Sequence, residues 1–102
     1  MGHLLKVCSL EELKRDHYRV IEVEDKRVAV YFHDQEVYAF EDQCTHHPCP
    51  LSGGPVVDDE IICMMHGARF NIKNGEVTMP PARRSLQMFS VVVKAGEVFL
   101  QV

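Results

Sequence analysis

Two short motifs that each pair a cysteine with a histidine place the strongest constraint on this chain. The first is Cys44-Thr45-His46, the second is Cys63-Met64-Met65-His66-Gly67, and sixteen residues separate them. Each motif offers one thiolate and one imidazole, and both groups can face one metal centre only if the backbone between them turns sharply. We therefore expect both motifs on loops. Gly53, Gly54 and Gly67 supply the necessary freedom, because glycine accepts positive φ and close backbone approach without a side-chain clash.

The segment that holds these motifs differs in composition from the rest of the chain. Five prolines, four glycines, three cysteines and three histidines fall between Asp42 and Arg84. On either side of it, apolar and polar residues alternate as in β-strands. The predicted strands are 18–23, 28–32, 37–40, 60–62, 69–72 and a final hairpin of 89–94 and 97–102 that turns at Ala95-Gly96. We expect one domain over residues 1–102, with a subdomain of about 42–84 inserted in a β scaffold.

One helical turn and a set of core positions complete the predicted scaffold. Ser9 can cap a single turn, with Glu12 three residues later as its partner. The alternation of apolar residues predicts these core positions: Val20, Val23, Val28, Val30, Phe32, Val37, Ala39, Phe40, Phe89, Val91, Val93 and Val98.

Composition and charge narrow the possible functions. The chain is 46% hydrophobic and 25% charged, which is the balance of an ordinary globular protein. A net charge of −4 gives no basic surface for a nucleic acid. No stretch approaches the roughly 18 apolar residues of a membrane span, and no apolar signal segment begins the chain, so we expect a cytoplasmic protein.

The four cysteines are better explained by metal binding than by disulfides. Two of them stand in short Cys/His motifs, which in an intracellular protein favour a metal site. Cys8 and Cys49 then have no assigned role, and His47 is expected to be solvated because it directly follows His46.

The pattern of the two motifs resembles the Rieske family, whose ligands follow Cys-x-His, roughly fifteen to twenty residues, then Cys-x-x-His-Gly. Residues 50–54, Pro-Leu-Ser-Gly-Gly, resemble the family's Pro-Leu-Ser-x-Gly turn, and residues 66–71 with 74–76 resemble its second loop and exit hairpin. The resemblance implies an all-β fold, an antiparallel β-sandwich base with the cluster-binding subdomain at its tip. It also implies one [2Fe-2S] cluster, with Cys44 and Cys63 on a buried iron and His46 and His66 on an outer iron.

A zinc-binding interaction module is the alternative reading of the same four side chains. Two thiolates and two imidazoles also make a tetrahedral zinc site. One sulfur and one nitrogen from each loop favour the cluster. The two possibilities differ in colour, because a Rieske protein is red-brown and a zinc protein is colourless.

The residues beside the ligands carry a further comparison with the family. Cys49 aligns with a cysteine that forms a disulfide in high-potential Rieske proteins, but its partner position is Met65 here, so Cys49 is expected to pack as a small apolar side chain. Ala68 and Phe70 replace a serine and a tyrosine that donate hydrogen bonds to sulfur in those proteins. The resemblance thus implies a potential toward the low end of the Rieske range, roughly −150 mV.

The sequence contains no phosphate-binding glycine loop and no nucleophile with its base, which favours an electron carrier over an enzyme. The resemblance is closest to the ferredoxins of bacterial ring-hydroxylating dioxygenase systems. It implies a monomer that takes electrons from an NAD(P)H-dependent flavoprotein reductase and passes them to a terminal oxygenase. The small subunit of assimilatory nitrite reductase, which shares the Rieske fold, is the alternative, although many of those chains lack the ligands.

Apolar residues around the second motif predict where a partner docks. Met64, Met65, Leu51 and Pro80 are expected to ring the outer histidines with adaptable apolar surface. The run Met79-Pro80-Pro81 resembles the family's proline loop, and residues 58–60 predict a solvated acidic turn that can steer a basic partner.

Overall fold

The computed structural model describes residues 3–44, 49–64, 67–80 and 84–102. Within these ranges the chain forms one helix, α1 (Leu10–Asp16), and eleven strands. The strands are β1 (Leu4–Ser9), β2 (Tyr18–Val23), β3 (Lys26–His33), β4 (Glu36–Glu41), β5 (Val56–Val57), β6 (Glu60–Ile62), β7 (Arg69–Asn71), β8 (Val77–Met79), β9 (Met88–Phe89), β10 (Val91–Lys94) and β11 (Glu97–Gln101). In the described ranges no helix has the length and apolarity that crossing a bilayer requires.

The strands form three antiparallel sheets. Their orders are β1-β11-β10, β2-β3-β4-β9 and β5-β6-β7-β8. The first two sheets make the sandwich base. The third is small and lies within residues 56–79, in the segment that also holds the second Cys/His motif. The predicted all-β class and antiparallel sandwich base are confirmed.

Strand β3 is buried on both faces and joins two hydrophobic cores. Successive side chains of a strand point to opposite faces. Val28 and Val30 accordingly enter the core of the base, which also contains Ala39, Val98 and Leu100. Ala29 and Tyr31 enter a second core, shared with the small sheet and with the two motif cysteines: Phe40, Cys44, Leu51, Ile61, Cys63, Ala68, Phe70, Ile72 and Leu86. Through this second core the small sheet packs against the face of β3 that is opposite the core of the base.

Tight two-residue turns set the register of the main hairpins. Asp34 and Gln35 have φ of 52° and 68°, and Ala95 and Gly96 have φ of 54° and 75°. Positive φ at both central residues is the hairpin turn whose twist matches that of the flanking strands. The predicted turn at Ala95-Gly96 is confirmed.

The helix has the predicted cap but is longer than predicted. The Ser9 side chain accepts from the Glu12 N–H, and the Glu12 carboxylate accepts from the Ser9 N–H at 3.0 Å. The helix has seven residues, Leu10–Asp16, and Leu13 buries its side chain in the core of the base.

The predicted final hairpin is partly wrong. Residues 91–94 pair with 97–100 as expected, but Met88 and Phe89 belong to another sheet and pair with Phe40 and Ala39 of β4. The chain changes sheets at Ser90, so the apolar residues before and after it belong to two different sheets. Strands β5 and β8 were not predicted.

Several of the predicted core positions on strands β3, β4 and β11 are confirmed. Val28, Val30, Ala39, Phe40 and Val98 are all fully buried. Val93 is wrong as a core residue, because it is 44% exposed near the end of β10, which is an edge strand. The remaining predicted core residues are partly buried.

Replacing Ser9 with alanine is expected to lower the free energy of unfolding by about 1 kcal/mol, because the capped N–H of Glu12 loses its acceptor. Ser90→Ala is the matched control: its side chain is exposed, so a change within about 0.5 kcal/mol is expected. Urea unfolding followed by circular dichroism measures both. Equal effects of the two substitutions would contradict the capping role.

Candidate metal centre

The two motif cysteines lie at the starts of two loops that leave the small core. Cys44 follows the end of β4 at Glu41, and Cys63 follows the end of β6 at Ile62. Each is only 1% exposed. The expectation that the motifs lie outside strands is confirmed for these two residues.

Each cysteine closes its own loop with its backbone. The Cys44 N–H donates to the Cys49 carbonyl at 2.9 Å, and the Cys63 N–H donates to the Ala68 carbonyl at 2.7 Å. Both bonds join residues five positions apart, so the two loops have the same span. In each loop the motif histidine falls between the bonded residues. The sequence motif did not reveal this shared closure.

Several predicted site residues fall outside the part of the chain that the structure describes. These are His46, His47, His66, Met65 and Pro81. Their assignments therefore stay predictions, as do the ligand roles of Cys44 and Cys63.

Asp42 holds the part of the first loop that follows the first motif, at Leu51 and Ser52. One oxygen of its buried carboxylate accepts from the N–H groups of Leu51 and Ser52 at 2.8 and 2.7 Å, and the other accepts from the Ser52 hydroxyl at 2.7 Å. Arg27 adds an ion pair at 3.0 Å. Because the Arg27 side chain is half exposed, water weakens that pair, and the hydrogen bonds from the loop contribute more.

Sequence reasoning missed Asp42 as a loop-holding residue. It appeared there only as the first residue of the unusual segment. Its partners Leu51 and Ser52 lie nine and ten residues further along, and no local motif indicates that contact.

The two predicted loop glycines at 53 and 54 are needed for different reasons. Gly53 has φ of +85°, and its N–H donates to the Tyr31 hydroxyl at 3.0 Å. Burial raises the pKa of Tyr31 to about 12, so this hydroxyl stays neutral at physiological pH. Gly54 has ordinary φ, but a Cβ there would lie 2.7 Å from the Ile62 carbonyl oxygen. Its role is close approach of the first loop to the strand that precedes Cys63.

The Cys49 thiol lies beside the motif cysteines. Its Sγ is 3.6 Å from the Sγ of Cys63. Burial, followed by hydrogen bonding with Cys63 and the proximity of Cys44, raises the pKa of Cys49 to about 11. The thiol is therefore protonated at neutral pH. As predicted, Cys49 packs against the small core and forms no disulfide.

The fourth cysteine belongs to a different region. Cys8 is buried in the core of the base, with the residues that pack around Val98. Burial raises the pKa of its thiol. Cys8 is therefore a structural residue remote from the two loops.

An exposed apolar surface flanks the second loop. Met64 is 72% exposed although Cys63 beside it is buried, and Met79 is 46% exposed. Pro80 is exposed as expected. Leu51 was wrongly expected on this surface: it is 1% exposed, because Asp42 holds its backbone so that the side chain enters the small core.

The acidic turn is largely neutralised by basic neighbours. Asp58 has φ of 57° in the turn between β5 and β6, as predicted. Asp59 lies 2.9 Å from His33 and 3.7 Å from Lys73, and Glu60 lies 3.3 Å from Arg69. Two of the three carboxylates thus bind partners within the chain, which weakens the predicted steering of a basic partner.

The described residues fit an iron–sulfur group. Thiolates are soft ligands suited to iron–sulfur clusters, and Cys44 and Cys63 present two buried thiols that both neighbour Cys49. In Rieske centres two histidines complete the set on the other iron. The buried cysteines beside an exposed Met64 match that division into an inner and an outer side.

Replacing Asp42 with alanine is expected to destabilise the protein by about 3 kcal/mol, because the buried N–H of Leu51 and its neighbour lose their acceptor. Asp42→Asn keeps one acceptor oxygen, so a loss of about 1–2 kcal/mol is expected. The control is Asp58→Asn on the exposed turn. Thermal unfolding measures all three. An Asp42→Ala protein as stable as the control would contradict the loop-holding role.

Comparison with known proteins agrees with this geometry. The family model of the Rieske [2Fe-2S] domain matches residues 3–90. The chain is 38% identical over 97 residues to "Ferredoxin CarAc" of Metapseudomonas resinovorans, covering 94% of this chain and 91% of that protein. It is 32% identical over 99 residues to the 3-phenylpropionate/cinnamic acid dioxygenase ferredoxin subunit of Photorhabdus laumondii, covering 96% and 93%.

One solved structure contains a chain that is similar to this one in fold as well as in sequence. It is described as a complex of reduced oxygenase and oxidized ferredoxin in carbazole 1,9a-dioxygenase. The matched chain superimposes with a TM-score of 0.87 at 37% identity, over 95% of this chain and 91% of that one. The fold, the paired loops and these relatives lead to one conclusion: the chain belongs to the Rieske [2Fe-2S] domain family, whose cofactor is a [2Fe-2S] cluster.

Proposed function

We propose that Cys44, His46, Cys63 and His66 hold the cluster and that the chain carries single electrons from an NAD(P)H-dependent flavoprotein reductase to a terminal oxygenase. The observation that carries this proposal is the pair of buried cysteines at the starts of two loops of equal span, each closed by the cysteine's own N–H. When bound, the cluster supplies a one-electron redox couple. The protein holds the donors in place and provides the docking surface.

The relatives support the choice of acceptor. Two of them carry the names of ferredoxins or ferredoxin subunits, and the solved complex contains an oxygenase together with a ferredoxin. The match spans 91% and 93% of the two relatives' own lengths, which fits a separate small carrier. We also propose that the chain is a cytoplasmic monomer.

We assign the cluster-binding subdomain to residues 42–84 within one domain of residues 1–102. Three features support this assignment. Asp42 begins the segment and holds the first loop, the small sheet lies inside it, and its core packs on one face of β3.

The exposure of the second loop supports its outer face as the place where partners dock. Exposure rises from 1% at Cys63 to 72% at Met64, so the loop passes from the core to the surface within one residue. We infer that a partner approaches from the histidine side, because the two cysteines are buried. Met64 and Met79 provide flexible apolar contacts of the kind that adapt to a partner surface.

Replacing Cys63 with alanine is expected to reduce bound iron and acid-labile sulfide from about two of each per chain to nearly none, and His66→Ala is expected to do the same. Cys8→Ala is the matched control, because this buried cysteine lies in the other core, and its iron content is expected to stay at the wild-type level. Iron and sulfide analysis of the purified proteins measures this. A Cys63→Ala protein with full iron and sulfide would remove the proposed ligand assignment.

Met64→Glu is expected to slow electron transfer to the oxygenase by about tenfold or more, because docking would bury an unpaired carboxylate. Val93→Glu is the control: Val93 is also an exposed apolar residue, but it lies on β10 of the base. Stopped-flow mixing of the reduced protein with the oxygenase gives the rate. If both variants react at the wild-type rate with intact clusters, Met64 is not at the docking surface.

A further inference from the structure

Cys49 contacts both of the cysteines that we assign as ligands. Its carbonyl oxygen accepts the N–H of Cys44 at 2.9 Å, and its Sγ lies 3.6 Å from the Sγ of Cys63. The first loop thus reaches across to the sulfur of the second loop through this one residue. The Cys49 thiol is neither one of the four proposed ligands nor part of the proposed docking surface.

The direction of the sulfur–sulfur hydrogen bond follows from metal binding. A cysteine that binds a metal does so as the thiolate and carries no proton. Cys63 as a ligand can therefore only accept, so the S–H of Cys49, which is outside the proposed ligand set, is the donor across this contact. A sulfur–sulfur separation of 3.6 Å is within the range of such a bond.

The surroundings of Cys63 make this donor important. Ala68 and Phe70 are fully buried on the second loop and the strand that follows it, and neither has a polar side-chain atom. A hydrogen bond to a ligand sulfur stabilises the added negative charge of the reduced form and so raises the reduction potential. The side chains at 68 and 70 cannot donate such a hydrogen bond. A side-chain donor to the sulfur of Cys63 therefore has to come from another residue.

We propose that the Cys49 thiol donates a hydrogen bond to the ligand sulfur of Cys63 and so raises the reduction potential of the centre. This inference rests on the proposed function, because it needs Cys63 to be a ligand. Cys49 is a positioning residue in this account: it binds no iron and acts through Cys63. Thiols are weak donors, so we expect an effect of about threefold on the reduction equilibrium. At 59 mV for each tenfold change in a one-electron couple, threefold corresponds to about 28 mV.

Three variants separate hydrogen bonding from packing. Cys49→Val keeps an apolar side chain of similar size without a donor, and Cys49→Ser keeps a donor in a smaller side chain. Cys8→Val is the control, because it makes the same replacement at a buried cysteine in the other core. Protein-film voltammetry of the purified holoproteins gives the potentials.

The proposal expects Cys49→Val to shift the reduction equilibrium about threefold toward the oxidised form. It also expects Cys49→Ser at or above the wild-type potential and Cys8→Val unchanged. A Cys49→Val potential equal to wild type would overturn the proposal. So would an equal fall in Cys49→Val and Cys49→Ser, because that pattern indicates packing.

A measurement on the unmodified protein keeps the test decisive if a variant loses its cluster. Pulsed electron–nuclear double resonance of the reduced protein in H2O and D2O is expected to show, beyond the ring N–H protons of the two proposed histidine ligands and the backbone N–H protons, a further exchangeable proton coupled to the centre. This signal is expected to be absent in Cys49→Val if that variant holds its cluster. Absence of such a proton in the wild type would overturn the proposal.

Failure of the proposed function gives a different result. In that case the wild-type protein lacks iron and sulfide, or the Cys63→Ala protein keeps them, whereas the hydrogen-bond proposal fails with the cluster present in the wild type and lost from Cys63→Ala.

Discussion

The buried carboxylate of Asp42 is the interaction on which the rest of the site depends. It ties the backbone of residues 51 and 52 to the end of β4, across the segment that holds the first Cys/His motif. A carboxylate that accepts several hydrogen bonds holds a loop more firmly than apolar contacts alone, because each bond has a defined direction. Without it, the N–H groups of Leu51 and Ser52 would lose their acceptor, and the first loop would lose its link to the end of β4.

The second constraint is the contact between the two loops. Gly54 allows the first loop to approach the carbonyl of Ile62, immediately before Cys63, and Gly53 binds the Tyr31 hydroxyl on the base. Tyr31 in turn stacks on Tyr18 and Phe40. The strands of the base thus support the loops directly, and the chain itself fixes the positions of the cysteines. Such preorganisation is what an electron carrier needs, because little rearrangement then accompanies reduction.

Much of this could be predicted from the sequence, because the relevant signals are local. The alternation in residues 18–23 and 28–32 identified the paired strands β2 and β3, and Ser9 with Glu12 identified the helix start. The spacing of Cys44 and Cys63 relative to their histidines indicated loops and a shared metal. These features depend on residues within a few positions of one another.

The errors arise where distant contacts decide the outcome. Residues 89–94 were predicted as one strand, but the pairing of Phe89 with Ala39 places its first residue in another sheet. Leu51 was expected at the surface beside Met64, yet a hydrogen bond to Asp42 turns it inward. Cys49 was correctly expected to pack as a small side chain, but its contact with Cys63 depends on the two loops meeting. No pattern within one loop contains that information.

The central claim is that the chain holds a di-iron centre with mixed cysteine and histidine ligation. The most direct test is the electron paramagnetic resonance spectrum of the dithionite-reduced protein, produced anaerobically with sufficient iron. Mixed ligation predicts an average g value below that of a [2Fe-2S] cluster with four cysteines. An average g typical of all-cysteine ligation, or a colourless zinc protein with no signal, would contradict it.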